Sequence, residues 1–305
     1  MKSTAVPWHT RARHEVETAI GGVQLRAMER ALVFAGGFTA DQTDSGVAFL
    51  ARPGKRGLPI VGVHGFGGDK ETWLVMAALI GRARGIALID LPGHGRSAEV
   101  TEDRATIRDH AEAVLRVMDQ VGFERVIVLG NSMGGGVGLR LAASWPDRVA
   151  GLVLVASVGR DVHDGSAQAW ITGDNPLIPH ADDVERFMKL VLERPLPVPR
   201  AVIRYVVTKR ARRAPALQRL FRGFVLGGGD AGVPTDLAPI HVPTLVVHGE
   251  QDRIISKRVA EDLVAALPRA ELVVMRGVGH APQLEAPRPL AKLVTGFVTR
   301  VERAG

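Results

Sequence analysis

Three side chains in this 305-residue sequence have the types and the chain order that nucleophilic acyl transfer needs: Ser132, Asp252 and His280. Ser132 lies in Gly130-Asn131-Ser132-Met133-Gly134, after the apolar run Arg125-Val126-Ile127-Val128-Leu129 and before Gly135-Gly136-Val137-Gly138-Leu139-Arg140-Leu141-Ala142. That order reads as strand, sharp turn and helix, a nucleophile elbow. The serine must sit on a strained turn so that its hydroxyl projects above the sheet edge, and the flanking glycines leave room where a side chain would collide. A serine hydroxyl is a poor nucleophile at neutral pH and needs an imidazole to take its proton; the imidazole needs a carboxylate to fix its tautomer and stabilise its cation. His280 and Asp252 suit those roles because each falls in a loop directly after a predicted strand, on the same sheet edge as Ser132.

The elements that must hold these residues are legible as short apolar runs. Leu58-Pro59-Ile60-Val61-Gly62-Val63, Gly85-Ile86-Ala87-Leu88-Ile89, Val149-Ala150-Gly151-Leu152-Val153-Leu154-Val155 and Val242-Pro243-Thr244-Leu245-Val246-Val247-His248 have the continuous apolar character of strands buried on both faces of a parallel sheet. Glu271-Leu272-Val273-Val274-Met275 adds another, and Asp44 to Arg52 alternates as an edge strand does. Helical stretches intervene at about 71–81, 105–121, 134–142, 256–267 and 289–301, so strand and helix alternate as in an α/β fold with right-handed crossovers. An N-terminal helix between Glu15 and Val33 is expected to be weakened by Gly21-Gly22.

The rhythm breaks after Ser157. Residues 159–236 carry polar, proline-rich and helical sequence, including Gly173-Asp174-Asn175-Pro176-Leu177, a helix over Ala181 to Leu192, and Pro195-Leu196-Pro197-Val198-Pro199. They are expected to form a helical cap inserted over the pocket, dividing the core into 1–158 and 237–305. Between Arg194 and Gly229 there is no acidic residue, and Arg194, Arg200, Arg204, Lys209, Arg210, Arg212, Arg213, Arg219 and Arg222 are all basic. Mixed with Val202, Val206 and Leu220, they read as a basic amphipathic surface segment suited to an anionic lipid surface. Gly227-Gly228-Gly229 reads as a hinge, since no strand precedes it.

Composition excludes other classes of chemistry. The absence of cysteine removes disulfides, thiolate nucleophiles and Cys-based zinc sites, and no metal-ligand or phosphate-loop spacing occurs. A net charge of +7 raises the question of nucleic acid, which an arginine-rich surface answers without such a partner. Met1 to Ala19 has charges and no apolar core, so no targeting signal is expected, and a cytoplasmic protein is.

On these residues the chain resembles the α/β-hydrolase superfamily. The resemblance is carried by His64-Gly65-Phe66-Gly67-Gly68-Asp69-Lys70-Glu71-Thr72-Trp73, Asp90-Leu91-Pro92-Gly93-His94-Gly95, the Ser132 elbow, Gly249-Glu250-Gln251-Asp252 and Gly279-His280. More narrowly the chain is similar to a bacterial lipase/esterase group. The resemblance implies hydrolysis of small carboxylic esters through an acyl-enzyme, with no cofactor. It also implies an oxyanion hole from the backbone N–H groups of Phe66 and Met133. His64, Gly65, Gly67 and Asn131 are expected beside the pocket, with His64 bracing the loop rather than acting as a base. Two alternatives use the same residues: a carbon–carbon bond hydrolase of meta-cleavage-type dienoates, and a ligand-binding protein that keeps the fold without turnover.

Overall fold

The computed structural model describes residues 8–160, 170–171, 174–227 and 229–304. Gly173 and Gly228, singled out above, lie outside these, as do Met1 and Lys2. The apolar runs form one eight-stranded sheet in the order β1-β2-β4-β3-β5-β6-β7-β8. Its strands are β1 (Thr39–Gln42), β2 (Ala48–Arg52), β3 (Ile60–Val63), β4 (Ile86–Ile89), β5 (Val126–Asn131), β6 (Val149–Val155), β7 (Thr244–Gly249) and β8 (Ala270–Met275). β2 is antiparallel to both neighbours and the pairings from β4 to β8 are parallel. β3 to β7 are buried along their whole length, as continuous apolar strands between two helix layers must be.

The strand after β3 pairs on one side of it and β5 on the other, so the winding direction reverses there. The crevice this opens at the carboxyl ends of β3 and β5 is where open α/β sheets bind ligands. Helix α2 (Leu74–Ile80) follows β3 after a single tight turn over Lys70–Trp73. Helix α3 (Ile107–Gln120) starts at a capping box, in which Thr106 accepts from Asp109 N–H and the Asp109 carboxylate accepts from Thr106 N–H. Helix α4 (Met133–Ser144) leaves the elbow.

Two expectations need correction. The stretch ending at Arg52 is not an edge: β2 is fully buried between β4 and β1, and β1, exposed at all four positions, forms the edge instead. The N-terminal helix α1 (Trp8–Gly36) is not interrupted at Gly21-Gly22. A Cβ on Gly21 would stand 1.8 Å from Ala201 O, so the missing side chains let a neighbouring helix approach, and this packing outweighs their low helix propensity.

Among the described residues between β6 and β7 are the helices α5 (Val184–Val191), α6 (Arg200–Arg212) and α7 (Ala214–Leu226). α6 packs on α1, and the side chains of Arg210 near its end and Arg213 just beyond it reach the loops after β3 and β4. After β7 the core resumes with α8 (Lys257–Ala266), β8, the short α9 (Pro282–Glu285) and α10 (Pro287–Ala304).

Candidate active site

Ser132 closes β5 and opens α4 with φ 54° and ψ −119°, a conformation that L residues adopt only where the surroundings enforce it. The enforcement is steric. A Cβ on Gly130 would lie 2.2 Å from Gly134 O, and one on Gly134 would lie 2.3 Å from Val63 O, so neither position tolerates any side chain. Ser132 N–H donates to Val155 O at 3.0 Å, fixing the turn to β6. The side chain is almost wholly buried, at 9 % exposure.

His280 sits in the loop after β8, and its Nδ1 is 2.8 Å from Asp252 Oδ2 in the loop after β7. The other carboxylate oxygen accepts from Ile254 N–H at 2.8 Å and Ile255 N–H at 3.0 Å. Burial alone would raise the Asp252 pKa; the His280 bond and the two backbone donors outweigh it and hold the carboxyl below its ordinary value. An ionised Asp252 favours the tautomer in which His280 Nδ1–H donates to it. His248, also buried, lies 3.9 Å from Asp252 as a second imidazole; its burial pushes its pKa down.

The structure also shows what ties these loops to the elbow. Asn131 donates through Nδ2 to Val155 O at 3.0 Å and His280 O at 3.3 Å, and its Oδ1 accepts from Gln283 at 3.0 Å. Glu285 accepts from Gly279 N–H at 2.9 Å with one oxygen, and from Glu193 N–H at 2.8 Å and Arg194 N–H at 3.0 Å with the other. His280 N–H itself donates to Val191 O at the end of α5. The histidine loop is thus clamped between the elbow and the end of α5. Asn131, expected beside the pocket, is buried and engages both amide atoms in this bracing.

The loop after β3 faces Ser132. A Cβ on Gly65 would stand 3.0 Å from Ser132 Cβ. Among the described residues no backbone acceptor takes the Phe66 or Met133 N–H. His64 is fully buried, its Nδ1 2.7 Å from Gly65 O and its Nε2 accepting from Leu91 N–H at 3.0 Å, so it braces the loop. Burial holds it neutral against the pull of Asp90. His94 and His110 pack behind it, the His64 and His94 rings tilted with centroids 5.2 Å apart and the His94 and His110 rings edge to face at 5.9 Å. Burial pushes His110 down to about 4 and His94 well below its ordinary value. The loop is anchored further by Asp90, which accepts from Lys70 N–H at 2.7 Å, Lys70 Nζ at 2.6 Å and Arg96 N–H at 2.8 Å.

Four cations of the basic segment pair with carboxylates, while Arg194, Arg200, Arg212 and Arg219 are exposed. Arg204 pairs with Glu17 at 3.0 Å, Lys209 with Asp69 at 3.5 Å, Arg213 with Glu99 at 2.5 Å and Arg222 with Glu102 at 3.2 Å. Arg210 turns inward. Its Nη2 donates to Phe66 O at 3.0 Å and Leu177 O at 2.6 Å, its Nε donates to Leu177 O at 2.9 Å, and its guanidinium lies over the rings of Phe66 and Phe187. Gly67, with φ +65°, gives it room, since a Cβ there would be 2.4 Å from its Cζ. Burial lowers its pKa to about 10, with Asp69 opposing, so the group stays charged at neutral pH. One run of nine cations in the sequence gave no sign of which would face in.

The sheet order, the antiparallel second strand and a strained residue between β5 and α4 are the architecture of the α/β hydrolases. The chain belongs to the alpha/beta hydrolase family, whose model matches residues 60–293. It is 30 % identical over 252 residues to a dihydrolipoyllysine-residue acetyltransferase component of the acetoin cleaving system from Pseudomonas putida, covering 81 % of this chain and 65 % of that relative's length. It is 25 % identical over 252 residues to monoacylglycerol lipase abhd6-B of Xenopus laevis, covering 79 % of this chain and 75 % of the relative. The structure of lip1 from Acinetobacter baumannii superposes with a TM-score of 0.81 over 92 % of this chain and 97 % of that one, at 21 % identity, which speaks for the fold alone.

Proposed function

We propose that the protein hydrolyses carboxylic esters through an acyl-enzyme on Ser132. The observation that carries this reading is the strained Ser132 joined, through Asn131 and the His280 carbonyl, to an imidazole held 2.8 Å from a buried carboxylate. His280 takes the Ser132 proton as Oγ attacks the ester carbonyl, and the Asp252 carboxylate stabilises the resulting imidazolium. The Phe66 and Met133 N–H groups receive the oxyanion; each such donor contributes about 3 kcal/mol in the transition state. His280 returns the proton to the leaving alcohol, then activates water to release the acyl group. The cycle uses no cofactor and no metal. The cap comprises 159–236, and the substrates are small acyl esters, extending to lipid esters presented at an anionic surface.

Lipases among the relatives support ester chemistry over carbon–carbon bond cleavage. A dienoate hydrolase needs a cap cation free to meet a carboxylate, and among the described residues Arg210, which turns inward, commits Nε and Nη2 to carbonyl oxygens. A fluorophosphonate probe tests the nucleophile: intact-mass and peptide analysis should find one adduct, on Ser132. An adduct elsewhere, or none on folded protein, overturns the assignment.

A further inference from the structure

A helix on a protein surface normally turns its apolar stripe inward and its polar face to water. α1 does not. Val16, Ile20, Val23, Ala27, Ala31 and Phe34 follow one another at steps of three or four residues, which aligns them along one side of the helix, and all six are exposed. Phe34 is 86 % exposed. The opposite side is the one packed on the protein, through Gly21 and Gly22 against α6 and Leu32 against the core.

The feature extends beyond one helix. Among the described residues nine large apolar side chains are exposed, and eight of them lie on α1 or on the two helices packed against it: five on α1, Val75 and Leu79 on α2, and Val206 on α6. Cations flank the stripe. Arg13, Arg26 and Arg30 are exposed on α1, and neither Arg26 nor Arg30 has a carboxylate partner among the described residues. Glu15 is the exposed acid of this helix; Glu17 pairs with Arg13 and Arg204, and Glu29 is partly buried.

We propose that this face seats the protein on the interfacial region of an anionic bilayer. The apolar stripe enters the boundary between headgroups and acyl chains, and the arginines meet the lipid phosphates. The net charge of +7 favours the same partner. A second copy of the chain would need only a narrow helical seam, whereas the exposed apolar side chains spread across three helices. α6 links the face to the site, because the helix that packs on α1 carries Arg210 to the Phe66 carbonyl. A protein so placed has its cap beside the lipid from which an acyl ester would come; this last point rests on the ester-hydrolase reading.

The test is co-sedimentation of the full chain with phosphatidylglycerol/phosphatidylcholine vesicles and with pure phosphatidylcholine vesicles, for wild type and Ile20→Glu/Val23→Glu. Wild type should sediment with the anionic vesicles at low salt, less at high salt, and little with the neutral ones. The double variant should lose about tenfold or more of that binding, because two charges enter the apolar stripe, while thermal midpoint and turnover of a soluble short-chain ester stay unchanged. Absence of wild-type binding to the anionic vesicles, or equal binding by the variant, overturns the proposal. So does a wild-type dimer in analytical ultracentrifugation that the variant dissociates while vesicles capture neither form, since a second copy would then cover the face. Vesicle binding by a protein that turns over no soluble ester would instead remove the hydrolase reading and leave the docking face in place.

Discussion

Arg210→Met separates the cap's hold on the oxyanion loop from simple cap packing. The substitution keeps an apolar stem of similar length against Phe66 and Phe187 and removes three donor contacts, two to Leu177 O and one to Phe66 O. Phe66 then loses the contact that fixes its carbonyl, and its own N–H is the proposed oxyanion donor. A full donor contributes about 3 kcal/mol, and loosening the loop should forfeit between half and all of that, or roughly tenfold to a hundredfold in kcat. The assay is steady-state kinetics with a short, soluble acyl ester, which reaches the site without help from cap packing. KM should change little, because the lost contact acts on the transition state and not on ground-state binding. Arg210→Lys keeps the charge without the planar fork and should recover only part of the rate. If Arg210→Met retains kcat within about twofold and a normal thermal midpoint, or changes KM alone, the coupling of cap to oxyanion loop is wrong.

Two further outcomes follow from the packing and the buried histidines. Gly21→Ala should gain about 1 kcal/mol of helix propensity yet destabilise overall by about 1–3 kcal/mol, because its Cβ meets Ala201 O at 1.8 Å; denaturant unfolding decides the sign. His110, with a folded pKa of about 4 against 6.5 for the free group, stays neutral in the fold while the unfolded chain takes up its proton. Stability should therefore be fully present above pH 6.5 and fall as pH drops towards 4, by about 3 kcal/mol from this residue, and His110→Gln should flatten that slope in urea titrations across the range.

How much of this could be read from residues alone depended on whether the cause was local. The central strands were legible because burial on both faces demands continuous apolar runs, and Ser132 because its strain demands glycines at fixed spacing. The loops bearing Asp252 and His280 were legible as the ends of such strands. β1 was not: Thr39 to Gln42 carries no apolar periodicity, because all four residues are exposed and the strand exists only by pairing with β2. α1 was misjudged because the value of Gly21 lies in a helix some 180 residues away. The same holds for the supports of the site. Asn131 was expected beside the pocket and Glu285 was not singled out, since their partners come from distant loops. Arg210 was hidden among cations of identical type, distinguished only by which side of α6 meets the oxyanion loop.

The most direct measurement is turnover of a short and a long p-nitrophenyl acyl ester by wild type and Ser132→Ala. Wild type should hydrolyse at least one ester, with a burst of p-nitrophenol where deacylation is slower than acylation. Ser132→Ala, with an unchanged thermal midpoint, should lose nearly all of that activity. Full activity in Ser132→Ala, or a correctly folded wild type inactive on both esters, would contradict an acyl-enzyme on Ser132.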